Sequence, residues 1–185
     1  GEARMISQPY FLSAIALSLV CHIVSAQDAD SLRIRYQPRL DAAVDRGLEY
    51  LAGKQVSRDA AAAMGRPELA GSFEEPASVG NTGITSLAVM AFLAKGHLPG
   101  RGRYGEVINR GIDYVLTQQL ENGLLVSRNV RGRTTGLMYE HSISTLLLGE
   151  VSGMVDPVRQ QKVDEVLSRA LLVLLQAQKV PKSEA

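Results

Sequence analysis

The segment with the clearest potential for chemistry is Met138-Tyr139-Glu140-His141. A carboxylate beside an imidazole can exchange protons near neutral pH or contact a ligand, so Tyr139, Glu140 and His141 are candidate pocket residues. The same pattern also suits a structural role, in which the segment caps a helix N-terminus and His141 is a hydrogen-bonded, half-buried side chain. A single Glu-His pair does not decide between the two interpretations.

A second candidate site is a set of basic side chains in two Gly-containing loops, at residues 97–103 and 127–136. If the loops meet at one rim, their guanidinium groups could bind an anionic glycan, a phospholipid head group or a diphosphate. The alternative is ordinary solvated arginine on the surface. The candidate anion-binding residues are Arg101, Arg103, Arg128, Arg131 and Arg133.

Composition narrows the remaining possibilities. The formal net charge of +1 lacks the basic excess that nucleic-acid binding requires. Cys21 is the only cysteine and it lies in an apolar leader, so the rest of the chain cannot form a disulfide or a thiolate metal site. We therefore predict no metal, no cofactor and no nucleic-acid partner, and we assign no catalytic residue.

The amino-terminal stretch has the pattern of an export signal. An apolar run from Phe11 to Val24 is followed by Ser25-Ala26, a small-residue pattern that signal peptidase can cleave. The run is shorter than the roughly 20 residues that span a bilayer. We predict a signal peptide at 1–26 and a secreted or periplasmic mature chain; an uncleaved membrane anchor and a buried amino-terminal helix are the alternatives. Residues 27–38 are then a linker, 39–180 the folded domain and 181–185 a tail.

An internal repeat organises the folded domain. Three amphipathic segments, 46–55, 110–119 and 169–178, each begin with arginine and end with glutamine, and they start 64 and 59 residues apart. Between them lie 85–96 and 142–153, which align without gaps and are apolar nearly all round. Amphipathic helices belong on the outside of a protein and uniformly apolar ones inside, so we predict an all-α array of alternating outer and inner helices.

Residues at the segment ends support these boundaries. Asn81 and Asp156-Pro157 are suited to helix N-termini. Gly96 and Gly153 stand where left-handed glycines would end the two inner helices. Residues 57–79 are predicted to form a long loop.

The outer segments resemble the QW repeats of squalene and oxidosqualene cyclases, and related repeats occur in protein prenyltransferases. The resemblance covers roughly residues 39–179 and is closest to secreted, uncharacterised bacterial proteins with prenyltransferase/squalene oxidase repeats. It implies a partial α/α toroid, in which the repeated glutamine bonds helix-end backbone groups and joins neighbouring units. The repeat-structural residues are Gly47, Tyr50, Gln55, Gly111, Tyr114, Gln119 and Gln178.

Departures from the family pattern concern its catalytic parts. The chain has no Trp, and Asp28-Ala29-Asp30 lacks the third acid of the cyclase Asp-x-Asp-Asp motif. Prenyltransferase zinc sites include a cysteine. We therefore expect an exported, non-catalytic binding or structural module; the alternative is a fragment of a terpene cyclase or prenyltransferase-type enzyme whose catalytic residues lie outside this chain. A short arc leaves inner helices partly exposed. We expect that the sequence is a truncated piece of a longer protein; the alternatives are self-association or a protein partner at these helices, with a lipid or an anionic ligand as further candidates.

Overall fold

The computed structural model describes residues 34–73, 80–128 and 136–180. That part of the chain contains six α-helices, one short 3₁₀ helix and no β-strand, so the predicted all-α class is confirmed. The helices are α1 (34–53), α2 (Arg58–Ala63), α3 (Thr82–Ala94), α4 (Gly105–Thr117), α5 (Leu137–Val151) and α6 (Pro157–Ala177), and the 3₁₀ helix is Pro67–Leu69. We call α1, α4 and α6 outer-type helices and α3 and α5 inner-type helices, after the two kinds of predicted segment.

The described helix begins within the predicted linker. Residues 34–38, which the sequence assigns to a linker at 27–38, are helical and continue into the rest of α1. Pro38 lies about one turn after the first described helical residue, where its missing N–H removes few helical hydrogen bonds. The predicted signal peptide at 1–26 and the tail at 181–185 lie outside the described residues.

The predicted loop over residues 57–79 also contains local structure. Its alanine-rich stretch forms α2, because alanine has the highest helix propensity and Ser57 Oγ accepts a hydrogen bond from Ala60 N at 3.1 Å. The 3₁₀ helix follows, and Leu69 packs with Val56 and Ala61 in a small apolar cluster. The described part of this segment thus contains two short helices that pack on each other, rather than an irregular loop.

The chain divides into two compact units at Gly47. The described part of the first unit is residues 34–47 of α1, and nearly all of these side chains are exposed. The second unit, Leu48–Ala185, contains the main hydrophobic core.

The core of the second unit is formed mainly by α3, α4, α5 and α6. Helix α3 packs against α4 and α5, and α6 packs against α5 and α4. The inner-type helices α3 and α5 are therefore neighbours, and so are the outer-type helices α4 and α6. In α4, Ile108, Ile112 and Val115 follow i, i+4, i+7 spacing and are fully buried. Phe92 of α3 and Leu147 of α5 meet them in the same core.

The predicted helix ends are confirmed. Asn81 Oδ1 accepts a hydrogen bond from Ile84 N at 2.9 Å, and Asp156 Oδ1 accepts from Val158 N and Arg159 N. Gly96 and Gly153 have φ of 89° and 81°, the left-handed conformation that only glycine adopts without strain.

The inner-type helices are not buried on every side. They approach each other through small residues, and Ser86 Oγ donates to Ser144 Oγ at 3.0 Å. On another side, Leu87 of α3 and Leu146 of α5 are 46% and 55% exposed. An apolar face of the inner-type pair therefore remains open to solvent.

Candidate functional site

The candidate residue with the most hydrogen bonds is Glu140, in the first turn of α5. Its side chain is buried, with 2% of the residue exposed. Glu140 Oε2 accepts hydrogen bonds from Ser127 N at 2.9 Å and Ser127 Oγ at 2.7 Å, and Oε1 accepts from Asn81 Nδ2 at 3.3 Å. Ser127 Oγ also accepts from Thr82 N at 2.9 Å. We call Glu140, Ser127, Asn81 and Thr82 the Glu140 network.

The Glu140 network joins the beginnings of the two inner-type helices. Asn81 caps α3 through Oδ1 while its Nδ2 donates to Glu140. Ser127 belongs to the segment between α4 and α5 and bridges Thr82 to Glu140. Because buried polar atoms are costly unless they are hydrogen-bonded, this network fixes the relative position of three chain segments. Sequence reasoning identified Glu140 and Asn81 separately but not Ser127, which carries no recognisable pattern.

Tyr114 of α4 is a second buried polar group at the start of α3. Its hydroxyl donates a hydrogen bond to the carbonyl oxygen of Gly80. The pKa of Tyr114 is raised to about 12, mainly by burial; a hydrogen bond with Thr82 acts against this increase and the nearby Glu140 charge adds to it. The phenol therefore stays protonated at neutral pH and serves as a hydrogen-bond donor, not as a base.

His141 faces a different part of the core from Glu140. His141 Nδ1 accepts a hydrogen bond from Leu125 N at 3.0 Å, and Nε2 lies 3.2 Å from the carbonyl oxygen of Ala170 in α6. Since a carbonyl only accepts, Nε2 carries the proton and donates. Burial lowers the pKa of His141, with the Ala170 hydrogen bond acting in the opposite direction. The ring is thus a neutral cross-link between the 125 segment and α6.

The three candidate pocket residues therefore do not form one pocket. Both nitrogens of His141 are bonded to backbone groups, and Glu140 bonds to Ser127 and Asn81, so the two side chains do not make the acid/base pair. Tyr139 is 68% exposed. Successive helical residues point about 100° apart, which separates neighbours in sequence onto different faces. The geometry matches the structural interpretation of the Glu-His pair.

The three candidate arginines within the described residues do not gather at one place either. Arg103 forms a 2.7 Å ion pair with Glu49 and lies 5.2 Å over the Tyr104 ring, and Arg101 is exposed nearby in sequence. These two precede α4, whereas Arg128 donates from Nη2 to the carbonyl oxygen of Gln119, just after α4. The length of α4 separates them by about 20 Å. Arg131 and Arg133 lie outside the described residues.

The repeated glutamines make the most regular polar contacts in the described structure. Gln55 Nε2 donates to the carbonyl oxygens of Gly71 at 3.1 Å and Val107 at 2.8 Å. Gln119 Nε2 donates to the carbonyl oxygens of Gly123 at 3.1 Å and Val166 at 2.8 Å. Each glutamine also forms an isolated β-bridge, with Phe73 and with Leu125 respectively. We call each of these arrangements a glutamine clamp.

Each glutamine clamp depends on a glycine held close to the next outer-type helix. Gly71 and Gly123 have φ of 90° and 88°. A Cβ on Gly71 would lie 2.2 Å from the carbonyl oxygen of Arg110, and one on Gly123 would lie 3.0 Å from that of Arg169. Arg110 and Arg169 are the first residues of the second and third predicted repeats. The same backbone approach thus occurs twice, at equivalent positions.

The remaining repeat-structural residues differ in their surroundings. A Cβ on Gly111 would meet Val89 Cγ2 at 2.4 Å, so α3 packs tightly on α4 there, and Tyr114 is buried. At the equivalent positions in α1, no described residue lies within 4 Å of a Cβ on Gly47, and Tyr50 is 65% exposed. Gln178 at the end of α6 is exposed. At these equivalent positions, α1 and α6 are therefore exposed, whereas α4 is covered by other parts of the chain.

A shallow apolar groove of about 330 Å³ follows the exposed side of the inner-type helices. Its lining residues are Met90, Leu93, Ala94, Leu146, Glu150 and Met154. Long, flexible methionine side chains can adapt to differently shaped apolar partners. Within residues 34–73, 80–128 and 136–180, no group of three or more His, Cys, Asp or Glu side chains is placed to hold a metal ion.

No helix in the described part of the chain is long and apolar enough to cross a membrane. Comparison with known proteins adds no assignment, since no family model, curated protein or solved structure matches this chain.

Proposed function

We propose that this chain is an exported, non-catalytic scaffold of α/α-toroid-type repeats, which binds a protein partner through the apolar face of its inner-type helices. The observation that carries the proposal is the pair of glutamine clamps. Gln55 reaches from the first repeat to α4, and Gln119 reaches from the second to α6, with matching atoms and distances. Such a joint specifies how one unit is added to the next, which is the defining property of a repeat scaffold.

The hydrogen bonding of the polar candidates supports a scaffold over an enzyme. Glu140, Tyr114 and His141 are each buried and each bonded to groups of this chain. The raised pKa of Tyr114 keeps its phenol neutral near pH 7, and the lowered pKa of His141 keeps its imidazole neutral. Those bonds hold helices together, and a general acid or base would instead have to offer its proton to a substrate.

The exposed apolar side of α3 and α5 supports the binding part of the proposal. Leu87 and Leu146 lie on helices whose other sides form the core, and the groove lined by Met90, Leu93 and Met154 adjoins Leu146. Contiguous apolar surface of this kind is typical of protein interaction sites. An apolar helix of a partner fits a groove between two helices better than a polar ligand does.

A binding assay with a reporter dye tests the apolar face. The full chain should bind anilinonaphthalene sulfonate, and Leu146→Glu combined with Leu87→Glu should at least halve the fluorescence gain. The matched control is Val158→Glu, which places the same charge at an exposed apolar position on α6. Equal losses in both variants would mean that the inner-type face is not the binding surface.

A product assay tests the non-catalytic part. The full chain is incubated with squalene, and separately with a prenyl diphosphate and an acceptor peptide, and the mixtures are analysed by mass spectrometry. We expect unchanged substrate. Cyclised squalene or a prenylated peptide that requires the intact protein would overturn the proposal in favour of an enzyme.

A further inference from the structure

The outer-type helices are joined in the same way twice, and the chain carries a third glutamine at the same place. In both glutamine clamps, Nε2 at the end of one outer-type helix donates at 2.8 Å to a carbonyl oxygen of the next, namely Val107 in α4 or Val166 in α6. Gln178 lies 59 residues after Gln119 and caps the end of α6 directly, whereas Gln119 comes two residues after the end of α4. Gln178 is exposed and its side chain makes no hydrogen bond to another described residue.

The end of α6 carries apolar side chains that no outer-type helix among the described residues covers. Leu171 corresponds to Ile112, which is fully buried in α4, yet Leu171 is 45% exposed. Leu172 and Leu175 are exposed beside it. Three exposed leucines and an exposed glutamine therefore lie together at the end of α6, as an apolar patch with a polar side chain beside it.

The complementary surface lies on the first outer-type helix. With the 64-residue step between the first two repeats, Val107 corresponds to Ala43 and Arg110 to Arg46. Both residues are exposed, and Tyr36, Pro38, Arg39, Leu40, Ala42, Ala43 and Arg46 line an open surface of α1 there. In the first clamp, Arg110 Nε donates to Gln55 Oε1 at 3.0 Å, whereas Gln119 Oε1 of the second clamp has no partner among the described residues. Arg46 stands at the position equivalent to Arg110 and offers the same donor.

We propose that two copies of this chain associate head to tail through the glutamine-to-carbonyl hydrogen bond that the two clamps share, without the glycine and the β-bridge of those clamps. Gln178 of one copy donates to the carbonyl oxygen of Ala43 in a second copy, and Arg46 of that copy donates to Gln178 Oε1. The partner is a second copy because both halves of the joint are present on one chain, in the register that the intrachain joints use. The contact lies in the outer-type helices and is independent of the inner-type face to which we assign partner binding.

A head-to-tail contact uses two different surfaces, so it predicts an asymmetric cross-linking pattern. In a Cys21→Ser background, one sample of full chain carries Ala43→Cys and another carries Gln178→Cys. With a short bismaleimide, the mixture should give a covalent dimer, while neither sample alone should. The matched control replaces Gln178→Cys by Gln176→Cys, which points about 200° away around the helix and should cross-link poorly. Dimers formed by either single variant alone would show a symmetric contact and overturn the proposal.

Sedimentation of the full chain over a range of concentrations provides the second test. We expect species heavier than the monomer that increase with concentration, because a heterologous contact does not close by itself. Gln178→Ala should weaken association about fivefold to tenfold, consistent with the loss of one or two hydrogen bonds, and Gln176→Ala should leave it unchanged. A monomer at all concentrations, or equal association by both variants, would refute the proposal.

Discussion

Replacing Gln119 by alanine tests whether the glutamine clamp stabilises the repeat array. Gln119 is 6% exposed, and its Nε2 makes two hydrogen bonds, to Gly123 and Val166. Each such bond contributes about 1 kcal/mol, and the cavity left by the side chain costs about 1 kcal/mol more. Gln119 Oε1 has no partner among the described residues, so its removal recovers about 1 kcal/mol. The expected loss in the free energy of unfolding is therefore about 2 kcal/mol.

The measurement is urea unfolding of the full chain, followed by circular dichroism at 222 nm. The transition midpoint should fall while the slope of unfolding free energy against urea stays constant, because the buried surface is nearly unchanged. Gln176→Ala, at an exposed position on α6, is the control and should change stability by less than about 0.5 kcal/mol. If Gln119→Ala is as stable as Gln176→Ala, the clamp does not hold the repeats together and our reasoning fails.

Three further substitutions probe other parts of the structure by the same unfolding assay. Gly71→Ala should destabilise by about 3 kcal/mol and Gly96→Ala by only about 1 kcal/mol, since both have positive φ but only Gly71 lies against a backbone oxygen; equal losses would contradict this close approach. Glu140→Gln should cost about 2 kcal/mol, because an amide group must then face some of the donors from Ser127 and Asn81, and an unchanged midpoint would argue against the Glu140 network. The lowered pKa of His141 means that the unfolded chain binds its proton first, so stability should fall as pH drops below about 6.5; His141→Gln should remove that part of the slope, and identical slopes would exclude the buried neutral ring.

The fold class could be predicted from the sequence because hydrophobic period and helix caps are local signals. For α3, the apolar run around Val89 and Phe92 predicts the helix. Asn81 before the run and Gly96 after it predict where the helix begins and ends. Helix α2 could not be predicted because a short alanine-rich stretch has no periodic alternation of apolar and polar residues. Its helicity is decided by the helix propensity of alanine and by packing, here of Ala61 against Leu69.

The candidate site was harder to predict, because side-chain direction depends on tertiary packing. Glu140 and His141 are adjacent in sequence and both buried, yet they bond to different segments, Ser127 on one side and Leu125 and Ala170 on the other. Nothing in the sequence around Ser127 indicates that it contacts Glu140, and only the folded chain brings the two side chains together. The glutamine clamps were predictable as positions, since their spacing repeats, but their acceptor atoms on α4 and α6 were not.

A comparison of the two repeats indicates why His141 is better understood as structural than as chemical. In the second repeat, the bridge residue Leu125 donates its N–H to His141 Nδ1. In the first repeat, the equivalent bridge residue Phe73 donates its N–H to Thr85 Oγ1 at 3.2 Å. A threonine hydroxyl accepts that hydrogen bond but cannot act as a general base near neutral pH. Thr85 and His141 thus accept the equivalent hydrogen bond in the two repeats. His141 also bonds to the carbonyl oxygen of Ala170. The joint between repeats therefore uses the hydrogen bonds of the imidazole and does not require its acid/base chemistry.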